Sequence, residues 1–299
     1  MKAITVRIDD TGLDALLKRV KVAQEAGFDK FDLCISNPQS SFGRIVVALS
    51  TYNVGLAALR LKEQRHDALV FRKPGYSKLA APEAPLAQRS ADMVIETATQ
   101  LAPLRAQYLV LDGGFVAVPG LHEKQAILDE VLDCDEDDDT CKLVRRDHVA
   151  IDESLAEQQL VALCRGLHRV RKELPGVTVC LLNPDSPFGL LQPDRMKHVL
   201  DDLPEIGYWH STSSAALLRK QGGPKEADWL ERFGKRLKGV YLADMLGGQG
   251  EQPPGLGQVK FEDIAPELAK GTVRVMVVDD DKGTKLRFGS EYLAKVGIF

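Results

Sequence analysis

Short β-branched runs and amphipathic helical stretches alternate eight times along this chain. Each run is too short for a helix, and apolar residues at helical spacing follow it. The eight predicted strands are Ile4–Ile8, Phe31–Ile35, Val54–Leu59, Tyr108–Leu111, Thr178–Leu182, Ile206–His210, Leu237–Ala243 and Val273–Val278. Because no hairpin signal separates neighbouring runs, the pattern indicates a parallel sheet whose strands are covered by helices.

The number of units decides between a closed barrel and an open sheet. Eight strands close economically into a barrel, whereas an open sheet of that width is unusual. A doubly wound sheet is the alternative, but no G-x-G-x-x-G follows the first strand, as a dinucleotide site would require. At 299 residues the chain has a normal size for one barrel. The sequence therefore predicts a single (β/α)8 TIM-barrel domain over 1–299.

Two long loops, Lys62–Pro85 and Gly113–Ser154, follow predicted strands. In a barrel, the loops after strands lie at the C-terminal face, where binding and chemistry take place. The second loop contains the acidic run Asp133–Asp139, and we predict an acidic insertion at about 121–152. The run lacks the central glycine and the final glutamate of a calcium-binding loop. This favours a solvated segment over a calcium site.

Composition excludes several classes of protein. The formal net charge of −4 argues against broad electrostatic binding to nucleic acid. No apolar run approaches membrane-spanning length, and the N-terminus lacks the pattern of a signal peptide. The five cysteines are an odd number and are scattered, which is typical of reduced thiols, so we expect a cytoplasmic protein. Cys134 and Cys141 flank the acidic run, and whether they form a disulfide stays open.

Four segments in the second half of the chain carry a resemblance to a known family. Gly207–Ala215 reads GYWHSTSSA, Lys238–Asp244 reads KGVYLAD, and Pro254–Ile264 reads PGLGQVKFEDI. Leu181–Pro184, at the end of the fifth predicted strand, reads LLNP. In their order and spacing these segments resemble the sugar phosphate isomerase/epimerase family, the xylose isomerase-like barrels related to endonuclease IV. The resemblance implies a TIM barrel of that type.

The same resemblance implies an interconversion of keto and aldo sugars, or of epimers, around a divalent metal bound by carboxylates and imidazole. This chain departs from the family pattern at the expected metal ligands. Leu182 stands at the glutamate position of strand five, and Ser211 and Ser214 stand at the aspartate and histidine positions of strand six. Tyr241 replaces the first histidine of strand seven. We therefore expect no cofactor, unless relocated side chains bind Mg²⁺, Mn²⁺ or Zn²⁺.

Two residues near strand ends are candidates for acid/base chemistry. Asp244 keeps the family identity at strand seven, and His210 ends strand six. Each has a structural alternative: Asp244 hydrogen-bonds the loop that follows it, and His210 supports the strand or contacts a substrate. Asp279–Asp281 offers a relocated metal site together with Asp244, although a solvated run explains it better because consecutive residues at a strand end point alternately. Four residues are predicted to contact a substrate: Asn183, Arg60, Asp112 and Trp209.

Two hypotheses of function follow. In the first, the barrel has lost catalysis and binds a small polar molecule or a protein partner. In the second, it is a metal-independent sugar isomerase, epimerase or lyase in which His210 and Asp244 move protons. The loss of the ligand types, with the surrounding turns intact, favours the first. We expect neither a nucleic acid nor a membrane as partner, and a homodimer is an arrangement that fits a barrel of this kind.

Overall fold

The computed structural model describes residues 1–8, 12–36, 42–52, 54–63, 65–71, 73–130, 132, 150–280 and 282–299. Within them, eight strands form a closed parallel barrel: β1 (Lys2–Ile8), β2 (Lys30–Ile35), β3 (Gly55–Leu61), β4 (Tyr108–Leu111), β5 (Thr178–Leu182), β6 (Gly207–Ser211), β7 (Leu237–Leu242) and β10 (Val273–Met276). The order around the barrel is β1-β10-β7-β6-β5-β4-β3-β2. The predicted (β/α)8 barrel is confirmed.

Helices connect the strands on the outside of the barrel. Those in the described residues are α1 (Gly12–Glu25), α2 (Gly43–Thr51), α3 (Arg65–Ala68), α4 (Ala84–Leu101), α5 (Leu121–Glu130), α6 (Glu153–Glu173), α7 (Pro193–Asp202), α8 (Thr212–Lys220), α9 (Glu226–Phe233), α10 (Phe261–Ile264) and α11 (Thr284–Lys295). Short 3₁₀ turns follow α4, α9 and α10 at Ala102–Leu104, Gly234–Arg236 and Ala265–Glu267. In the part of the chain that the structure describes, no helix has the length and apolarity to cross a bilayer.

The alternation of side chains along each strand separates two layers of core. On β2, Phe31, Leu33 and Ile35 belong to the large apolar cluster between the strands and the helices. Asp32 points the other way, into the barrel, where it accepts a hydrogen bond from Thr5. Because successive residues of a strand face opposite sides, the inward positions are the ones that supply the interior and the mouth of the barrel.

Helix α6 supports the loops at one side of the mouth. Asp152 caps it by accepting hydrogen bonds from the backbone N–H groups of Ser154 and Leu155, and its apolar residues follow at helical spacing. Its buried Gln159 donates to the carbonyl oxygens of Ala80 (2.9 Å) and Phe115 (3.1 Å). The loops after β3 and β4 are therefore tied together by one amide side chain.

A short antiparallel hairpin that was not predicted lies outside the barrel. Its strands are β8 (Asp244–Leu246) and β9 (Gln249–Gln252), which lie between β7 and β10 in the sequence. Gly247 and Gly248 connect them with φ angles of 52° and 70°. Two consecutive positive φ angles are required by the tight turn that matches strand twist, and paired glycines adopt them without a steric cost.

The predicted acidic insertion falls largely outside the described residues. The part of it that the structure describes at its start forms α5, and the part at its end leads into α6. The acidic run Asp133–Asp139 and the pair Cys134 and Cys141 lie outside the described residues.

Candidate functional site

A cavity of about 60 Å³ lies where β3, β4 and β5 end at the C-terminal mouth of the barrel. This face is where TIM barrels place their functional residues. The polar and apolar side chains that line the cavity include three predicted substrate contacts and two positions where the family would have metal ligands: Arg60, Asp112, Asn183, Leu182 and Ser214. The structure therefore brings these five predicted residues together. That they contact a ligand stays a prediction.

Asn183 joins β5 to β6 at this mouth. Its side-chain oxygen accepts a hydrogen bond from the backbone N–H of Ser211 at 2.6 Å, and its amide nitrogen donates to the Ser211 carbonyl at 3.2 Å. The amide thus extends the ladder between the two strands by one further pair. Asn183 is buried, so this pairing fixes the side chain at the edge of the cavity.

The positions expected to bind a metal have other uses. The Ser211 hydroxyl accepts from the Ser214 backbone N–H at 3.3 Å and caps α8. Leu182 belongs to the apolar cluster inside the barrel. The Tyr241 hydroxyl, also inside the barrel, donates to Asp32 at 3.0 Å.

The side chains at these positions are not suitable ligands for a divalent cation. Leucine has no ligand atom, and the hydroxyl of Ser211 is already engaged in the helix cap. Hard divalent cations are bound by several carboxylate or carbonyl oxygens, with imidazole for the softer ones. Among the residues that the structure describes, no group of three or more histidine, cysteine, aspartate or glutamate side chains is placed to hold a metal.

The triple aspartate at 279–281 does not supply a relocated ligand set in the described residues. Asp279 forms an ion pair with Arg19 at 3.4 Å. Asp280 accepts hydrogen bonds from the backbone N–H groups of Lys282 and Leu286, at the start of α11. Asp281 lies outside the described residues.

Asp112 is a carboxyl group of the cavity with a raised pKa. It lies directly after β4, and its Oδ1 accepts from the Gly114 backbone N–H at 3.0 Å. Its enclosed position, and next the charge of Glu63, raise the pKa of Asp112 to about 6. Glu63 is buried beside it, where it accepts hydrogen bonds from the Ser77 N–H and hydroxyl and lies 3.7 Å from Lys78 Nζ. A carboxyl group with a pKa near neutrality can both accept and donate a proton.

We predict that Asp112→Asn raises the free energy of unfolding by about 1–3 kcal/mol at pH 8 and has little effect near pH 4. The pKa of Asp112 is higher in the folded state than in the unfolded chain, so the native protein binds this proton more tightly. Wild type therefore loses stability as the pH rises from about 4 to about 6. Asparagine does not ionise, which removes that loss.

Urea unfolding of both proteins between pH 4 and pH 8 measures this difference. Asp263→Asn, at an exposed aspartate of α10, is the matched control. Other titrating carboxyl groups are common to wild type and variant and cancel in the comparison. A difference that stays constant across the range would contradict the raised pKa.

The interior of the barrel contains a polar stack beneath the mouth. The Arg60 guanidinium lies over the Tyr241 ring, 4.4 Å from its centroid. The Tyr241 hydroxyl and the Thr5 hydroxyl both donate to Asp32. Burial raises the pKa of Asp32 to about 6, against the opposing charge of Arg60. The stack fixes Arg60 from below, so its guanidinium reaches the mouth in one orientation.

Glu251, from the hairpin strand β9, enters the mouth and meets three cations. Its Oε1 lies 3.1 Å from Lys62 Nζ and 3.4 Å from Arg60 Nη1, and its Oε2 contacts Arg7 Nη2. Burial opposes the ionisation of this carboxyl group, but the charges of Lys62, Arg60 and Arg7 hold the pKa of Glu251 well below its usual value. The carboxylate is therefore ionised near neutral pH.

His210 lies on the other side of β6 from the barrel interior. Its Nδ1 is 2.7 Å from the hydroxyl of Tyr208, whose ring stacks on Trp229 of α9. Burial lowers the pKa of the imidazole to about 3, so the ring is neutral near pH 7. His210 does not line the mouth cavity, because its neighbour Trp209 takes the inward position.

Trp209, predicted to contact a substrate, is fully buried within the barrel. Its ring packs on Tyr108 and Tyr241, with centroids 5.6 Å and 5.3 Å away. Gly239 makes room for it, since a Cβ at that glycine would lie 2.3 Å from the indole ring. Trp209 thus fills the interior beneath the cavity and does not line it.

Asp244 anchors the loop that follows β7. Its two oxygens accept four backbone hydrogen bonds, from Met245 and Val259 (both 2.9 Å), Gly255 (3.0 Å) and Gly257 (2.8 Å). The side chain is fully buried and does not line the mouth cavity. This is the structural alternative considered for Asp244, and it explains why the PGLG segment accompanies this aspartate.

Reasoning from the sequence did not identify Arg7, Lys62, Glu63 or Glu251. Two signals point to Arg7, Lys62 and Glu251. Arg7 and Lys62 are charged residues within or directly after apolar strand runs, where a charge is unusual unless it faces an interior site. The Gly247–Gly248 turn before Glu251 indicates a hairpin.

Comparison with known proteins supports the fold. No protein-family model and no curated protein matches the sequence. A D-tagatose 3-epimerase-like protein superposes with a TM-score of 0.66 at 13% identity, covering 99% of this chain and 98% of that chain. D-psicose 3-epimerase from Clostridium cellulolyticum H10 gives 0.61 at 11% identity, covering 99% and 98%. An AP endonuclease of family 2 from Brucella melitensis gives 0.62 at 13% identity, covering 97% of each chain. This chain therefore has the fold of the xylose isomerase-like TIM barrels.

Proposed function

We propose that this barrel binds a small polar molecule at its C-terminal mouth without a divalent metal and without catalysing a reaction on it. One observation carries the proposal. The mouth cavity is lined by charged and amide groups, whereas the positions expected to bind a metal hold an aliphatic side chain and a hydroxyl used to cap a helix. The structural neighbours include proteins named as sugar epimerases, which supports a polyol as the type of ligand.

We expect Mn²⁺, Mg²⁺ and Zn²⁺ to leave the Tm of the purified protein unchanged at about 100 µM. A dissociation constant above that concentration limits the stabilisation to about 0.4 kcal/mol. Differential scanning fluorimetry against a sample treated with EDTA makes the measurement, and elemental analysis counts any metal that copurifies. A stoichiometric metal, or a rise of several degrees in Tm, would contradict the metal-free proposal.

Binding itself is tested with three probes: D-glucitol, and D-fructose and D-gluconate, each of which differs from D-glucitol at one carbon of the open chain. We expect at least one of them to bind in isothermal titration calorimetry. Binding should be lost in Lys62→Met and Asp112→Asn, which change the cavity lining. Lys295→Met, at an exposed lysine of α11, is the control for loss of a positive charge. Failure of all three probes to bind, or binding that survives both cavity variants, would refute the proposal.

Asp112 favours a second candidate function, proton transfer next to a carbonyl group. It combines a place at the cavity with a pKa of about 6. The acid/base roles predicted for His210 and Asp244 are not part of this proposal, because neither side chain lines the cavity. Incubation with D-fructose in D2O containing EDTA tests the function by NMR. Deuterium at the carbon beside the carbonyl, absent with Asp112→Asn, would establish it, and no exchange would leave binding alone.

A further inference from the structure

We propose that Arg7, Arg60 and Lys62 form a carboxylate subsite, that Glu251 fills this subsite from within the chain, and that a small polyol carboxylate displaces Glu251 when it binds. We call these three residues the cationic cluster. The inference rests on the proposed function, since it names the chemistry of the molecule that would bind at the same mouth.

The cationic cluster is built into adjacent strands. Arg7 on β1 and Arg60 on β3 are both paired with Cys34 of β2, so they project from the same level of the barrel. Lys62 lies two residues beyond Arg60 and continues the ladder by donating its N–H to the Ile35 carbonyl. Two strands on either side of β2 and the residue that directly follows β3 thus present three positive groups to one point.

Glu251 meets the cluster as a ligand carboxylate would. One oxygen is shared by Lys62 and Arg60, and the other is contacted by Arg7. Charge-assisted hydrogen bonds to separate oxygens are the usual geometry by which basic side chains recognise a carboxylate. The present occupant shows that the cluster accommodates a planar group, which favours a carboxylate over a tetrahedral phosphate.

The backbone of Glu251 is in an unfavourable conformation. Its φ angle is 59°, in the left-handed region that residues with a side chain rarely adopt. Such strain persists only where other interactions impose it, and it is frequent at functional segments. Because Glu251 belongs to the separate hairpin and not to a barrel strand, its departure breaks no hydrogen bond between barrel strands.

Glu251 leaves the cationic cluster incompletely satisfied. Among the described residues, Glu251 is the carboxylate that contacts all three positive groups, and the Arg60 Nε has no hydrogen-bond partner there although Arg60 is only 3% exposed. Asp32, the nearest carboxyl group below, is engaged with Thr5 and Tyr241. A buried donor without a partner costs free energy, so a ligand that reaches it gains affinity.

Two residues of the cationic cluster also face the mouth cavity. Arg60 and Lys62 line this cavity and also contact Glu251. Withdrawal of Glu251 would therefore free two cations that face the cavity. Asp112 and Asn183, elsewhere in the lining, offer partners for hydroxyl groups. A ligand with a carboxylate at one end and hydroxyl groups at the other is a sugar acid.

The test compares D-gluconate with D-glucitol, which has a hydroxymethyl group in place of the carboxylate, at equal ionic strength. Isothermal titration calorimetry is performed on wild type, Glu251→Gln and Glu251→Ala. Removing an internal competitor raises the fraction of protein that can bind, so we expect roughly a tenfold lower Kd for D-gluconate in both variants. The Kd for D-glucitol should not change. Lys62→Met combined with Glu251→Ala should lose the gain.

Controls separate this inference from the proposed function. Glu291→Gln removes an exposed carboxylate of α11 and should leave the affinity for D-gluconate unchanged. Inorganic phosphate is titrated alongside, and a larger gain for phosphate than for D-gluconate would overturn the assignment to a carboxylate. An unchanged Kd for D-gluconate in folded Glu251 variants would show that Glu251 forms a permanent structural ion pair. That result would overturn this inference. The proposed function would still stand if D-glucitol or D-fructose bound at the mouth. Glu251→Gln, which preserves the shape of the side chain, carries the test if the alanine variant does not fold.

Discussion

Asp244→Ala is expected to lower the free energy of unfolding by about 3–5 kcal/mol. The substitution leaves four backbone N–H groups without their acceptor, two of them in the PGLG segment. Buried N–H groups that lose a charged acceptor bear the full cost of desolvation, because water does not take the place of the carboxylate. Urea unfolding at pH 7, followed by circular dichroism, measures the loss.

Two companion variants make this result specific to the anchor. Asp263→Ala removes an exposed aspartate from α10 and should change the stability by no more than about 0.5 kcal/mol. Asp244→Asn retains one acceptor oxygen and should fall between wild type and alanine. A loss below about 1 kcal/mol for Asp244→Ala would show that the loop does not depend on this side chain. The role of Asp244 would then have to be sought in chemistry.

Trp209→Ala is expected to destabilise the protein by about 3–5 kcal/mol, because the indole fills the barrel between Tyr108 and Tyr241. The barrel strands around it are held by their ladders and cannot close the space. An apolar cavity of this origin stays dry and accepts a matching apolar molecule. We therefore expect indole to restore part of the lost Tm in Trp209→Ala.

Trp229→Ala is the matched control, since Trp229 is the other tryptophan of the chain and is also fully buried. It lies on α9, outside the barrel, where helices can shift and reduce the cavity. A similar loss of stability with less rescue by indole is the expected outcome. Equal rescue of both variants, or none for Trp209→Ala, would argue against a rigid interior around Trp209.

The barrel could be predicted because parallel strands covered by helices are apolar on both faces and stand out from the amphipathic helices between them. The predicted end of the third strand is wrong, because that strand contains a charged residue. The third strand was predicted to end at Leu59, yet β3 continues to Leu61. Arg60 interrupts the apolar run because its side chain faces the polar interior of the barrel. Apolar content therefore predicts the length of a strand only where the residues that face the barrel interior are also apolar.

The candidate site was predicted in part, and the alternation of side chains explains which part. Arg60, Asp112 and Asn183 lie around the cavity because they occupy inward or terminal positions of consecutive strands. Adjacent residues of a strand cannot share a face, so the choice of Trp209 for the interior already excluded His210. The alternation of side chains along β6 was sufficient to distinguish Trp209 from His210 in the sequence.

The contact of Glu251 with Arg7 could not be inferred in this way. The two residues are 244 positions apart, and they meet only because the barrel closes and the hairpin returns across its mouth. Hydrophobic periodicity describes each element separately and contains no information on which charges face one another after closure. The paired glycines at 247 and 248 predict the turn, but they do not predict where its far strand points.

The hydrogen bonds of Gln159 affect how the loop after β4 tolerates sequence change during evolution. Its amide secures the beginning of the loop after β4, by accepting from the Ala117 N–H at 2.8 Å and donating to the Phe115 carbonyl. Asp112 lies upstream of that clamp, whereas the acidic stretch lies downstream of it. Insertions, deletions or new charges after Ala117 would therefore leave the preceding backbone held by the same two hydrogen bonds, so we expect the part of the loop after this clamp to tolerate more sequence change than the part before it.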